Sequence, residues 1–274
     1  MNNKLLELSM NNLADEDGDI LHIPHGDMPG DKINIEKSHI EKAKVIFPEL
    51  IKKVKECATT NSKVVITVCG GSGVGKSEIA SLLAHYFENM GVGCYTLSGD
   101  NYPHRIPVYN DAERLRIFRE SAIRGMITDG EYSFERFNII HQYQLENKDS
   151  EPKNIVKYPW YESYIRNGAM GLQGYLGTEK EINFFEIQNI VKEFKSGAEK
   201  IWLKRMGRED TELWYEEVDF SEKDILIIEW THGNSKNYTG VDIPVLLNST
   251  PKETLAHRRS RNRDGAVDSP FTTL

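Results

Sequence analysis

The stretch GGSGVGKS, residues 70–77, lies between the β-branched run Val64–Cys69 and an apolar helical run that begins at Glu78. Side chains given up between a strand and a helix imply that something must approach the backbone. Glycines let the chain wrap closely round an anion. Backbone N–H groups then form a cradle, and the following helix adds the positive end of its dipole. Gly70, Gly75, Lys76 and Ser77 match the spacing G-x-x-x-x-G-K-S/T, with Gly71, Ser72, Gly73 and Val74 between them. In that pattern the lysine reaches the outer phosphates of a nucleotide and the hydroxyl after it ligates Mg²⁺. A strand before and a helix after are the context the pattern requires, so these residues are read as the phosphate cradle for ATP.

Working outward, Glu78–Met90 reads as a helix and Cys94–Leu97 as a second strand. Helical spacing recurs over Asp111–Ile127, Tyr132–Gln144, Tyr161–Met170 and Phe184–Phe194, while KDSEPKNIVKYP reads as a loop. IWLKRMG and ELWYEEVDF flank the polar link RED as a hairpin would. Ile225–Glu229 is a short apolar strand, VDIPVLLNS supplies another, and STPKETLAHRR opens a helix with Thr250 and Glu253 at capping-box distance. Strands alternating with helices imply an α/β domain around a mostly parallel sheet, a three-layer α/β/α plan with the hairpin inserted. Before it, residues 1–36 read as an acidic irregular arm. Ser38–Cys57 reads as a helix that Pro48 should kink or divide. The expected division is therefore an arm and helical extension over 1–62 and the main domain over 63–274.

Composition narrows the classes. The chain has 274 residues, 28% of them charged, with a net charge of −8. An acidic chain argues against nucleic acid as a partner. Its three cysteines, Cys57, Cys69 and Cys94, form no C-x-x-C pair, which fits a reducing compartment and neither a disulfide framework nor a zinc site. No run approaches the roughly 18 apolar residues of a membrane span, and the N-terminus carries no secretion signal. A cytoplasmic protein acting on a small molecule is expected, with a homodimer left open.

Three further features bear on chemistry. LSGDNYPHR follows the second strand, and ligands of open α/β sheets gather at the carboxyl ends of strands. Asp100 there would face the cradle, able to accept a hydroxyl proton or to hold Mg²⁺. ILIIEW ends an apolar strand on a carboxylate, Glu229, placed to steer Mg²⁺. HRRSRNRDG crowds Arg258, Arg259, Arg261 and Arg263 together, as a flap over a transferring phosphoryl group would. Tyr102, His104 and Arg105 after Asp100, and Lys204, Arg205 and Arg208 in the hairpin, are candidate substrate contacts. Because strand side chains alternate, only one of Lys204 and Arg205 is expected to point inward.

Taken in order, these residues resemble the uridine kinase and phosphoribulokinase group of P-loop kinases over about Lys63 to Asp264. The shared order is GGSGVGKS, a strand and Asp100, NFFEIQNIVKEFKSGAEKI, the hairpin, ILIIEW, then NSTPKETLAHRR to Arg263-Asp264. The resemblance implies ATP- and Mg²⁺-dependent phosphorylation of a small-molecule hydroxyl, with Asp100 as base and Arg259 and Arg263 closing over the transferred group. LSGDN is also similar to a stretch of adenylylsulfate kinases. Three departures stand out. The hairpin has LKRMGRE where uridine kinases carry Tyr-Asp-Phe, Trp230 replaces a glycine after the strand-terminal Glu, and the arginine spacing is offset by one. The chain also stops at FTTL, where such kinases usually add a strand and a helix, so a shortened chain or a rearranged base pocket is expected. Nucleoside specificity therefore does not carry over, and the hairpin cations point to an anionic acceptor, a sugar phosphate or a nucleotide-like one. The rival class is a regulatory ATPase switch, against which Asp100 and the flap argue.

Overall fold

The computed structural model describes residues 4–10, 23, 25–31 and 33–250. Among them the chain divides into two compact units: one runs to Pro103 and resumes at Asn183, the other spans His104–Ile182.

The first unit is built on a four-stranded sheet in the order β2-β5-β1-β6. Its strands are β1 (Val64–Gly70), β2 (Cys94–Ser98), β5 (Ile225–Trp230) and β6 (Ile243–Leu247). All neighbouring pairs are parallel. β1 and β5 are buried almost throughout, as near-continuous apolar runs in a parallel sheet should be. Val64, Ile66, Val68, Ile225 and Ile227 share a core with two helices, α1 (Lys37–Ala58) and α2 (Lys76–Asn89). Phe47 of α1 meets Tyr86 and Phe87 of α2 edge to face, with centroids 5.0 and 4.9 Å apart. Leu5 and Leu8 join the same core.

Register places the chemistry. Glu229 lies opposite Val68 on one side and Ser98 on the other, so the carboxyl ends of β1, β5 and β2 finish level. The phosphate cradle, Glu229 and Asp100 therefore open from one edge of the sheet. A second, two-stranded antiparallel sheet pairs β3 (Lys200–Met206) with β4 (Leu213–Asp219), the expected hairpin. The helix α7 (Phe184–Lys195) precedes it and packs Phe184 near Trp230 and Tyr238.

The second unit is helical, with α3 (Pro107–Thr128), α4 (Phe134–Leu145), α5 (Lys153–Lys157) and α6 (Tyr161–Gln173). Phe118, Ala122, Met126, Ile140, Tyr161 and Tyr164 form its apolar centre. A Cβ on Gly168 would stand 2.6 Å from the Phe118 ring, so α3 and α6 approach closely there because position 168 has no side chain. The buried Asp149 accepts Arg119 Nη2 at 2.7 Å and Tyr164 OH at 2.8 Å.

Two local expectations change. Pro48 does not divide α1, which runs unbroken. Pro48 lies on the exposed side, while Phe47, Leu50 and Ile51 are buried on either side of it, so the ring's cost falls where water reaches the backbone. The expected loop over KDSEPKNIVKYP contains α5. A five-residue helix is too short for a periodic signal and is held by its surroundings, here Ile155 packed on the apolar centre and the buried Asn154 donating to Lys148 O at 2.8 Å.

Candidate active site at the carboxyl edge of the sheet

The glycines of the loop are there for backbone reasons. Gly70, Gly73 and Gly75 have φ of 151°, 77° and 89°, a region that side chains disfavour. A Cβ on Gly70 would stand 2.4 Å from Leu247 O, and one on Gly75 would stand 2.9 Å from the His39 ring. Gly75 is the N-cap of α2, so the helix N-terminus opens directly into the loop. Lys76 folds back over it, its Nζ donating to Gly71 O at 2.9 Å.

Glu229 is 4% exposed and takes two hydroxyls. Ser77 Oγ donates to Oε2 at 3.2 Å and Ser98 Oγ to Oε1 at 2.6 Å. Burial pushes its carboxyl well above the ordinary range, the nearby Asp100 charge pushes it further, and Lys76 pulls it back. Asp100 itself is exposed, on a single 3-10 turn Gly99–Asn101 that follows β2. Thus Lys76, Ser77, Glu229 and Asp100 come together as the sequence spacing suggested.

Trp230 explains its own departure from the resembling kinases. Its indole fills the space over Gly99, where a Cβ would stand 2.0 Å from Cγ. Gly99→Ala should cost about 1–3 kcal/mol, the usual penalty of an overpacked core. Chemical denaturation checks this, and an unchanged midpoint would contradict the packing.

The candidate substrate residues are placed differently from one another. Lys204 and Arg205 are both buried, at 6% and 5% exposure, rather than one in and one out. Alternation holds, but both faces of β3 are covered at that end. Lys204 Nζ donates to Pro103 O at 3.0 Å, and burial pushes its ammonium pKa down. Arg205 pairs with Asp27 at 2.8 Å and with Glu216 at 2.9 Å, and donates to Tyr95 OH. Burial raises Asp27 to about 6, against the pull of Arg205. Tyr102 lies wholly in the core. In the second unit, Arg105 Nη1 donates to Tyr175 OH at 3.1 Å and His104 Nε2 lies 3.0 Å from Glu179 O. Arg208 is exposed on the hairpin link. Arg259 and Arg263 lie outside the described residues. Sequence reasoning missed Ser98 and Asp27. Ser98 could have been found as the residue level with Glu229, but Asp27 sits in an irregular segment that carries no periodic signal.

Cradle, helix dipole and strand-end carboxylates on a parallel sheet define a P-loop α/β protein. The Zeta toxin family profile matches residues 48–124, which contain the cradle and Asp100. The bifunctional alpha-galactosidase/sucrose kinase AgaSK of Mediterraneibacter gnavus is 40% identical over 224 residues, covering 81% of this chain and 19% of that protein. The chain thus spans about a fifth of the curated relative it matches. A solved structure of a candidate fructose transport system kinase from Silicibacter sp. TM1040 aligns over 77% of each chain with 13% identity and a TM-score of 0.44. Among the described residues no helix is long and apolar enough to cross a membrane.

Proposed function

We propose that this chain is an ATP-dependent kinase that transfers the γ-phosphoryl group to a hydroxyl of a sugar, with sucrose the first acceptor to test. The observation that carries the reading is Ser77 hydrogen-bonded to the buried Glu229 beside the cradle, with Asp100 exposed next to them. The Ser77–Glu229 pair is common to P-loop enzymes, whereas a second carboxylate, exposed beside it, is placed to take the proton of an acceptor hydroxyl. The relative with both activities supports the sugar. Glycoside cleavage calls for two carboxylates flanking a glycosidic bond, not an anion cradle. That supports reading the matched segment as the phosphorylating part.

In this mechanism the loop amides of residues 70–77 and Lys76 hold the β- and γ-phosphates. Asp100 accepts the proton of the attacking hydroxyl; the roles expected of Arg259 and Arg263 fall outside the described residues. Two carboxylates and a hydroxyl at a phosphate site suit Mg²⁺, which takes a few protein oxygens and completes its shell with phosphate and water. Ser77, Glu229 and Asp100 would hold it, and a cation there would offset the burial that raises Glu229. When bound, Mg²⁺ would neutralise charge on the phosphates. Residues 63–274 would form the kinase domain, and residues 1–62 its arm and helical extension.

The anionic acceptor suggested by the hairpin loses its support. Lys204 is engaged with Pro103 and Arg205 with two carboxylates, which leaves Arg208 as the exposed cation of the three. A neutral polyol suits this arrangement better than a sugar phosphate or a nucleotide. ADP release should therefore rise with sucrose or a related neutral sugar, and not with uridine or adenylylsulfate. ADP release indifferent to every sugar and dependent on a protein partner would favour the switch.

A further inference from the structure

Asp27 lies in the segment 25–31, which belongs to no helix or strand, yet its side chain is 7% exposed. Its two oxygens receive four donors. Ser98 N at 2.6 Å and Asn101 Nδ2 at 3.1 Å reach Oδ1, while Tyr95 OH at 3.0 Å and Arg205 Nη1 at 2.8 Å reach Oδ2. Ser98 and Asn101 bracket Asp100 on either side. Asn101 Oδ1 in turn accepts Met206 N at 3.0 Å, which ties the same turn to β3. The segment also passes along the site: a Cβ on Gly26 would lie 3.9 Å from Glu229 Cγ.

We propose that Asp27 is a positioning residue that fixes the Ser98–Asn101 turn, and through it the direction of Asp100 and the Ser98–Glu229 hydrogen bond. Several features favour this over a role in stability alone. A buried ion pair such as Asp27–Arg205 adds little net stability once desolvation is counted, but it holds one geometry strongly. One of the four donors, Asn101 Nδ2, comes from the three-residue turn that presents Asp100, and a second, Ser98 N, from the last residue of β2 just before it. A short irregular turn has no ladder of its own to hold a side chain in place, so an outside acceptor has to do it. Asp27 supplies that acceptor from a distant part of the chain, and Arg205 and Tyr95 hold the acceptor still. The effect on catalysis rests on the kinase reading, whereas the clamp itself does not.

The test compares Asp27→Ala with Asp27→Asn in the full chain. The asparagine oxygen can still accept from Ser98 N and Asn101 Nδ2, while alanine cannot. Amide hydrogen exchange should quicken about ten- to hundredfold over Ser98–Asn101 in the alanine variant, as expected when a charged acceptor is lost. It should stay near wild type in the asparagine variant, and β1 should be unaffected in both. With ATP and the acceptor, kcat should fall about 10²-fold in the alanine variant, the usual effect of a displacement near 1 Å at a reacting group. The KM for ATP should hardly move, and the asparagine variant should recover most of kcat. If Asp27→Ala does not fold, Asn101→Ala breaks the same turn from its other side and should give the same pattern. Equal loss in the alanine and asparagine variants would make the Arg205 charge pair, not the turn, the role of Asp27, and would overturn the proposal. So would unchanged exchange at Ser98–Asn101, or faster exchange spread through β1. If the wild type shows no acceptor-dependent turnover, the kinase reading fails, and the exchange data still decide the clamp.

Discussion

Lys76→Ala should leave acceptor phosphorylation at or below about 10⁻²–10⁻³ of wild type, the scale set by removal of a preorganised group that stabilises developing charge. The effect should be large because Lys76 stands at the junction of loop and α2 with its ammonium turned over the cradle, donating to Gly71 O. Its side chain is buried, but it lies against the loop and is not part of the apolar cluster under the sheet. Thermal unfolding should therefore be nearly unchanged while turnover collapses. A variant that turns over like wild type would remove the cradle from the chemistry. A variant that unfolds would show that Lys76 is structural.

Asp100→Asn should have an effect of comparable size. The amide keeps the shape of the carboxyl but cannot take a proton, and general-base contributions run at about 10²–10⁴-fold. The loss should appear in kcat, with the KM for ATP changed far less, because Asp100 lies on the turn after β2 and the phosphates are held by residues 70–77. If ATP binding collapses while saturated turnover survives, Asp100 serves nucleotide and metal binding alone and the base lies elsewhere.

The parts of this site that were legible in the sequence share a cause. Each sits at a point where a regular element ends and a special residue begins. Gly70–Ser77 join a β-branched strand to a helix, Asp100 follows a strand, and Glu229 closes an apolar one. Their local patterns fix where they lie in an α/β sheet, and parallel register then brings Val68, Glu229 and Ser98 level. What was not legible depends on partners far apart in the chain. Arg205 looked like a free cation in a hairpin, and nothing local reveals that Asp27, 178 residues away, neutralises it. Trp230 looked like a departure from a kinase pattern until Gly99, on another strand's end, provided the space. The hairpin cations followed the same rule: along β3 they looked available to an anionic acceptor, and in space Lys204 and Arg205 are already engaged.

The central claim is that the γ-phosphoryl group passes to a sugar hydroxyl and not to water. Phosphorus-31 NMR of a reaction holding the protein, ATP, Mg²⁺ and sucrose tests it most directly. The expected result is a phosphate monoester of the sugar appearing in step with ADP, with little inorganic phosphate, and loss of that signal in Asp100→Asn. Inorganic phosphate as the sole product, at a rate that no sugar in the panel changes, would contradict it.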